Sequence, residues 1–514
     1  MKQIFSIAFL LIPFLIQAQN GTPDITFGNN GIVTTPVGSL DDDLTELLIQ
    51  PDGKIIASGF IYQSTSTTAI AMVRYMPDGS LDNTFGNGGK VIYSNGLSEN
   101  FAGAAVLQPD GKIILGGLSY STPVSPGIIV RFLPDGTVDN SFGVSGEVLD
   151  TFGLTHSNIR SMVLQPDGKL IVAGEGEINS IYYAIVARYN SDGSRDTLFG
   201  TGGLRVDSIG SYLSVFYSVA LQPDGKIIAC GNAAETSGYN YDFLVMRYLP
   251  DGTPDPGFGT AGYVRYNLNP ATSAAEEAES IILLPDGSIL AAGQAEDSIG
   301  DDHMVVLKLT AAGIPDPTFG IQGVKWIPLG IGMYDIGYSI KAQFDGKLLV
   351  AGYCDNGNDS DFLIVRLNAD GSVDNSFGTN GRATFDFTAD SDIGYRMILQ
   401  PDGKIVFGGY SKTTPQNYDF KIIRLNNISS GIIDQHEQAA IQIYPNPAIN
   451  MVKVICEPSL IGSSFKVFDA TGRQVHSAFI SEKEMNYNFN NLPAGIYTLS
   501  IDNRIFTNLI VAQH

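Results

Sequence analysis

The chain has few of the residue types that carry chemistry or covalent cross-links. Its 514 residues include only three cysteines, Cys230, Cys354 and Cys456, one tryptophan and five histidines. Three cysteines cannot build a disulfide framework, and large exported β-domains need none. The thiols read as small buried apolar groups, with Cys230 and Cys354 in the third strands of repeat units four and six. Charge is scarce as well. Charged residues make up 16%, and 30 basic side chains face 53 acidic ones, a net charge of −23. That balance repels nucleic acid and anionic membrane surfaces and leaves soluble partners, cations and neutral glycans. The sequence has no His-Glu-x-x-His helix, no Gly-x-Ser-x-Gly elbow and no phosphate loop. His436, His476 and His514 fall in the linker and C-terminal module. His156 and His303 fall in variable loops of different repeats, so no catalytic histidine pair is expected.

Long apolar runs are confined to the N-terminus. Lys2 precedes the apolar stretch Ile4 to Ile16, and Ile16-Gln17-Ala18 offers a small residue for cleavage. Residues 1–19 therefore read as a secretory signal peptide, too short for a membrane span. No Cys follows it, so a lipid anchor is not expected, and no later stretch is long enough for a transmembrane segment.

What the chain has in abundance is one motif. Gln-Pro-Asp-Gly-Lys or a close variant recurs with its Asp at Asp52, Asp110, Asp167, Asp224, Asp286, Asp345 and Asp402, at gaps of 58, 57, 57, 62, 59 and 57 residues. Pro presets the first corner, Asp bonds its own backbone, and Gly takes the left-handed position, which makes a tight hairpin. Flanking runs such as Ile113-Ile114-Leu115 are apolar without alternation, as in strands buried on both faces. Read from Phe85, one unit has strands at 90–93, 104–108, 112–117 and 127–132, four per repeat. Seven such units predict an all-β, seven-bladed β-propeller.

A second block repeats in register: a Phe-Gly pair with Asp three residues earlier, at Asp24, Asp82, Asp139, Asp196, Asp255, Asp316 and Asp374. A basic residue stands eleven before Phe in six copies, from Arg74 to Arg366, and Arg424 starts the block once more. There the chain leaves the pattern, and the missing half stands at the mature N-terminus, residues 21–28. The two ends complement each other, so they should meet and close a ring; an open solenoid would carry dissimilar caps. These two motifs, in register seven times, resemble the delta-60 repeat family of secreted β-propellers over residues 21–427. The resemblance implies architecture and no chemistry.

Residues 20–427 are thus expected to form the propeller and 428–439 a linker. From 440 to 514 the period stops, and about seven short strands suggest a small Ig-like β-sandwich. Tyr444-Pro445-Asn446-Pro447, a central turn ending in Gly472, and Leu492-Pro493-Ala494-Gly495-Ile496-Tyr497 resemble, in that order, the type A C-terminal sorting domain of the type IX (Por) secretion system. The resemblance implies that the secretion machinery is a partner and that the protein reaches the outer cell surface or the medium by way of the periplasm.

The linker Asp residues, some paired with a second Asp four earlier (Asp78 with Asp82, Asp135 with Asp139), could be calcium ligands. Asp before Gly more simply stabilises turns, with the nearby Arg as charge partner. No cofactor and no catalytic residue is therefore expected. A ligand, glycan or protein, should lie where repeats differ: in loops such as Asp41–Asp43, Pro270–Glu279, Thr236–Asp242 and Asp355–Asp361, which a four-stranded blade places on one rim. Trp326 is expected near an inner-strand start, as packing. The reading is an exported binding or adhesion propeller; the alternatives are a secreted hydrolase or lyase with a central-channel site, and a structural surface component.

Overall fold

Each Pro-Asp-Gly turn closes a hairpin between two strands. In the first repeat Gly53 takes φ 82°, its N–H donates to Gln50 O at 2.9 Å, and Asp52 Oδ1 accepts from Lys54 N–H at 3.2 Å. The computed structural model describes residues 20–511, apart from 237–239, 269–274, 328–333, 344, 415–416, 428–441 and, in the C-terminal module, 445–450, 456–463, 469–473, 483, 489–494 and 502–503. The signal peptide, the linker, Cys456, His436, His514 and the motif residues Pro445, Asn446, Pro447 and Gly472 lie outside the described residues.

The first blade runs Asp42–Ile49, Ile55–Ser64, Thr67–Tyr75 and Lys90–Tyr93, an antiparallel meander in that order. Five further blades repeat it, beginning at Glu99, His156, Leu213, Glu276 and Asp335; one parallel bridge, Tyr182 to Leu213, ties blades three and four. This phase corrects the sequence reading, which made Lys90–Tyr93 a first strand. It is the outer strand of the blade before, with Val73 opposite Lys90 and Ile70 opposite Tyr93. The Asp-to-Gly block between the two strands folds tightly: Asp82 N–H bonds Arg74 O and Arg74 N–H bonds Gly89 O, each at 2.9 Å. The chain is thereby returned to the strand it has just left. Cys230 and Cys354 consequently lie on second strands, and Trp326 lies on the outer strand of blade five, opposite Val305.

Apolar burial is organised between blades rather than within them. Among the described residues, seven hydrophobic cores lie at the seven joints, and each holds one Phe of the Phe-Gly pairs at 1% exposure or less. The joint of blades seven and one packs Val406, Phe420 and Ile422 against Leu44, Ala57 and Phe27. The ring is therefore closed. The N-terminal strand Ile32–Thr35 supplies the outer strand of blade seven, pairing Ile32 to Ile423 and Thr35 to Phe420. Asp24 N–H donates to Arg424 O at 2.7 Å and Gly21 N–H to Asn426 O at 2.8 Å. The expected meeting of the ends is thus a shared blade.

In the C-terminal module seven strands are present among the described residues, in a three-stranded and a four-stranded sheet. Phe465 of one stacks on Tyr487 of the other with ring centroids 4.5 Å apart. Tyr444, Gly495 and Tyr497 are strand residues there.

Candidate functional site

The recurring residues build one rim. Each linker Asp is the hub of a clamp: Arg74 Nε meets Asp82 Oδ2 at 2.8 Å, and the same pair recurs in six blades, ending with Arg424 and Asp24 at 2.7 Å. Blade five substitutes Lys308 to Asp316, 2.9 Å. The turn Lys adds a second cation, as Lys54 to Asp82 at 3.1 Å and Lys404 to Asp24 at 2.9 Å. The guanidinium also donates to the next blade, Arg74 Nη1 to Pro134 O and Arg424 Nη1 to Pro77 O, both 2.5 Å, and lies over the Phe ring of its own block. Burial would raise the Asp24 carboxyl, but hydrogen bonds from Lys404 and Thr26 and the Arg424 charge hold it far below the ordinary carboxylate range. The linker carboxylates are saturated by protein donors. The turn Asp residues, Asp52 to Asp402, each accept the N–H two residues on and stand on this same rim.

The channel is built from what does not recur. Every inner strand carries a one-residue bulge at the same place, at Thr45, Gly103, Arg160, Tyr217, Glu279, Tyr338 and Tyr395. A bulge re-aims a side chain and often marks a site. Opposite each bulge the second strand has a glycine, because a Cβ there would come within 2.0 Å of the inner strand's carbonyl oxygen, as at Gly59 with Asp43 O or Gly293 with Glu277 O. The Glu279 carboxyl feels Arg160 and Arg396, from blades three and seven. No two of these three blades are neighbours, so the groups converge on the ring axis.

The lining has two unlike sides. On blades six and seven Tyr338 stacks on Tyr395 at 4.6 Å, with Tyr353 and Tyr410 beyond them at 6.0 and 5.8 Å; Phe60 and Phe101 continue the arc at 4.8 Å from each other. On blades three to five Arg160 grips Glu175 through two nitrogens at 2.9–3.1 Å, and its guanidinium lies 5.5 Å from the Tyr217 ring centre. Glu277 accepts from Asn232 Nδ2 at 3.3 Å and Gln294 Nε2 at 3.1 Å. Burial and the neighbouring Glu277 carboxylate push Glu279 well above the ordinary carboxyl range, against the pull of Arg396 and Arg160. Burial raises the Tyr217 and Tyr338 phenols too, so both remain hydroxyl donors.

The sign of the Glu279 shift gives a test. A carboxyl raised in the folded state favours folding while protonated and disfavours it as pH rises from about 4.3 through the folded value. Glu279→Gln should therefore raise the melting temperature at pH 8 and leave it unchanged at pH 4. An unchanged melting temperature at pH 8 would contradict the crowded carboxyl.

The second rim carries the described parts of the variable loops: Ser125 bridges to His156, and across the closing joint Tyr418 N–H donates to Asp41 Oδ1 at 2.9 Å; residues 237–239 and 270–274 of the expected loops lie outside the described residues. It is acidic. Burial and the neighbouring Asp41 and Asp42 push Asp43 up to about 7, and burial with Glu296 and Asp301 lifts Asp302 to about 6. His156 and His303 prove to be strand residues of blades three and five and are not brought together; His303 Nε2 meets Asp297 Oδ2 at 3.2 Å and packs edge-on to Trp326. An outer cleft of about 580 Å³ between Thr22–Pro23 and Thr379–Phe385 belongs to the joint of blades six and seven, away from the channel. Among the described residues no helix is long and apolar enough to cross a membrane.

A family described as "Domain of unknown function (DUF5122) beta-propeller" matches residues 50–85, 108–142, 165–199, 222–258, 284–319, 343–377 and 400–429. A second, "Secretion system C-terminal sorting domain", matches residues 442–510. No curated protein matches the chain. Among solved structures, the chain is similar to PorZ, a surface component of the type IX secretion system of Porphyromonas gingivalis, at 13% identity and a TM-score of 0.41, covering 93% of this chain and 61% of that one. It is similar to the polysaccharide lyase Uly1 at 12% identity and TM-score 0.42, covering 81% and 94%, and to Sqt1 of Chaetomium thermophilum at 10% and 0.38, covering 76% and 98%. No function is taken from similarities this distant.

Proposed function

The chain is a DUF5122 β-propeller protein with a type IX sorting domain, exported to the cell surface or the medium, and we propose that it acts there as a binding module that takes an uncharged sugar chain at its channel. The observation that carries this is the division of the lining: stacked tyrosines on blades six and seven, and on blades three to five the internally paired Arg160 and Glu175, Glu277 with the amides of Asn232 and Gln294, and the raised Glu279. Flat aromatic faces accept the C–H faces of sugar rings, and a few converging polar groups fix the hydroxyls. The acidic rim and the net charge of −23 disfavour anionic chains.

The experiment is a glycan and matrix-protein binding screen on the mature chain, repeated with Tyr338→Ala and Tyr395→Ala. Binding to neutral glycans should fall at least about tenfold in each variant, the loss of roughly one stacked ring. Binding that ignores both changes would remove the channel from the account. A second reading, a hydrolase or lyase at the same place, is favoured by Glu279, since a carboxyl held protonated near neutral pH suits a general acid. Release of shortened sugar products, lost in Glu279→Gln, would distinguish it.

A further inference from the structure

Away from the channel, the joint of blades six and seven holds three carboxylates that no ion pair among the described residues balances. Asp361 stands on the third strand of blade six, Asp386 follows its outer strand, and Asp392 opens the inner strand of blade seven. One oxygen from each lies within 4.8 Å of the others. Asp361 is 8% exposed and Asp392 fully buried. Asp361 Oδ2 accepts from Asn356 Nδ2 at 3.0 Å, but its buried Oδ1 has no hydrogen-bond partner. Asp392 Oδ2 accepts from Phe387 N–H at 2.6 Å and Thr388 N–H at 3.3 Å, and its Oδ1 from Thr388 Oγ1 at 3.4 Å. Lys421, whose charge reaches Asp392, donates to Thr34 Oγ1 at 2.7 Å and lies over the Phe387 ring; among the described residues it pairs with none of the three.

The repeat supplies its own control. Blade four has Asp242 where blade six has Asp361, since each precedes the residue that faces the outer strand at Tyr266 or Phe385. There Asp242 receives Arg265 Nε at 2.5 Å and Asn267 Nδ2 at 2.8 Å. In blade six the matching residues are Thr384 and Asp386: the guanidinium is gone and the amide has become a third carboxylate. The same place in the fold carries a cation in one blade and lacks one in the other.

We propose that Asp361, Asp386 and Asp392 bind one divalent cation, calcium by their all-oxygen chemistry. The exposed Asp386 leaves a solvent side where water completes the coordination, and two strands of one blade and one of the next are joined through the ion. The site is distinct from the repeated linker Asp residues, which are filled by protein donors.

The test is calorimetric titration of CaCl₂ into the chelator-treated mature protein, with melting temperatures alongside. The wild type should bind one calcium at this joint and melt higher with it. Asp386→Asn should weaken that binding at least about tenfold, by loss of a ligand charge. Thr384→Arg combined with Asp386→Asn copies blade four; it should bind no calcium here and melt no lower than the chelated wild type, which keeps loss of folding apart from loss of the site. A wild type indifferent to calcium, its carboxyls sharing protons instead, would overturn the proposal, as would a double variant that binds like the wild type.

Discussion

Asp24→Ala should lower the stability of the mature protein by about 3–5 kcal/mol, the cost of leaving a buried charge without its partner. Arg424, with its side chain 7% exposed, would keep the Thr26 hydroxyl, the Pro77 carbonyl and the Phe27 ring but no counter-charge among the described residues. The loss falls on blade seven, where the two chain ends join and residues 20–35 are held by a strand pairing, backbone bonds such as Asp24 N–H to Arg424 O, and the Asp24 clamp. Asp316→Ala should cost less, because its partner Lys308 is a flexible point charge and the pair is more exposed, at 13% and 17%. Chemical denaturation of both variants against the wild type measures the difference, and equal losses would contradict the special weight of the joint. The pH dependence follows from the depressed Asp24 carboxyl. Its contribution is present above about pH 4 and is lost as pH falls toward the folded value, so the two curves should converge in acid.

Deletion of residues 440–514 should abolish appearance of the protein outside the cell while leaving the propeller folded. Among the described residues the strands of this module pair with one another, and all seven joint cores lie outside it. The truncated protein should accumulate in the periplasm, with a melting temperature within a few degrees of the full chain's propeller transition. Cell fractionation reads the first outcome and differential scanning the second. Normal secretion of the truncation would overturn the sorting role; a collapsed melting temperature would show that the propeller depends on the tail.

The repeat made the ring legible because turn and clamp chemistry is the same in every blade. Pro-Asp-Gly must turn, the Phe must fill a joint, and the Asp must meet its Arg, so these residues recur and their phase at the chain ends gives the closure. The phase of the blade was not legible, since nothing in Lys90-Val91-Ile92-Tyr93 says which neighbour it joins; the backbone bonds of the Arg74–Gly89 block decide it. The channel escaped for the opposite reason: Thr45, Gly103, Arg160, Tyr217, Glu279, Tyr338 and Tyr395 are of five different types. A signal was present all the same. Seven residues after each turn Asp stands a glycine, Gly59 through Gly409, and each is required by the bulge that stands seven residues before that Asp. An unvarying glycine in a strand marks close backbone approach, and here it points at the residue that varies.

On the proposed function, a ring of fixed residues holds the fold and the variable residues of the channel take the ligand. The measurement that tests it most directly compares ligand affinity and melting temperature in Tyr338→Ala/Tyr395→Ala and in Asp24→Ala. The channel variant should lose affinity for the sugar chain and keep its melting temperature within a few degrees, while the clamp variant melts lower and binds, per folded molecule, like the wild type. A clamp variant that loses affinity at full folding, or a channel variant that binds unchanged, would contradict it.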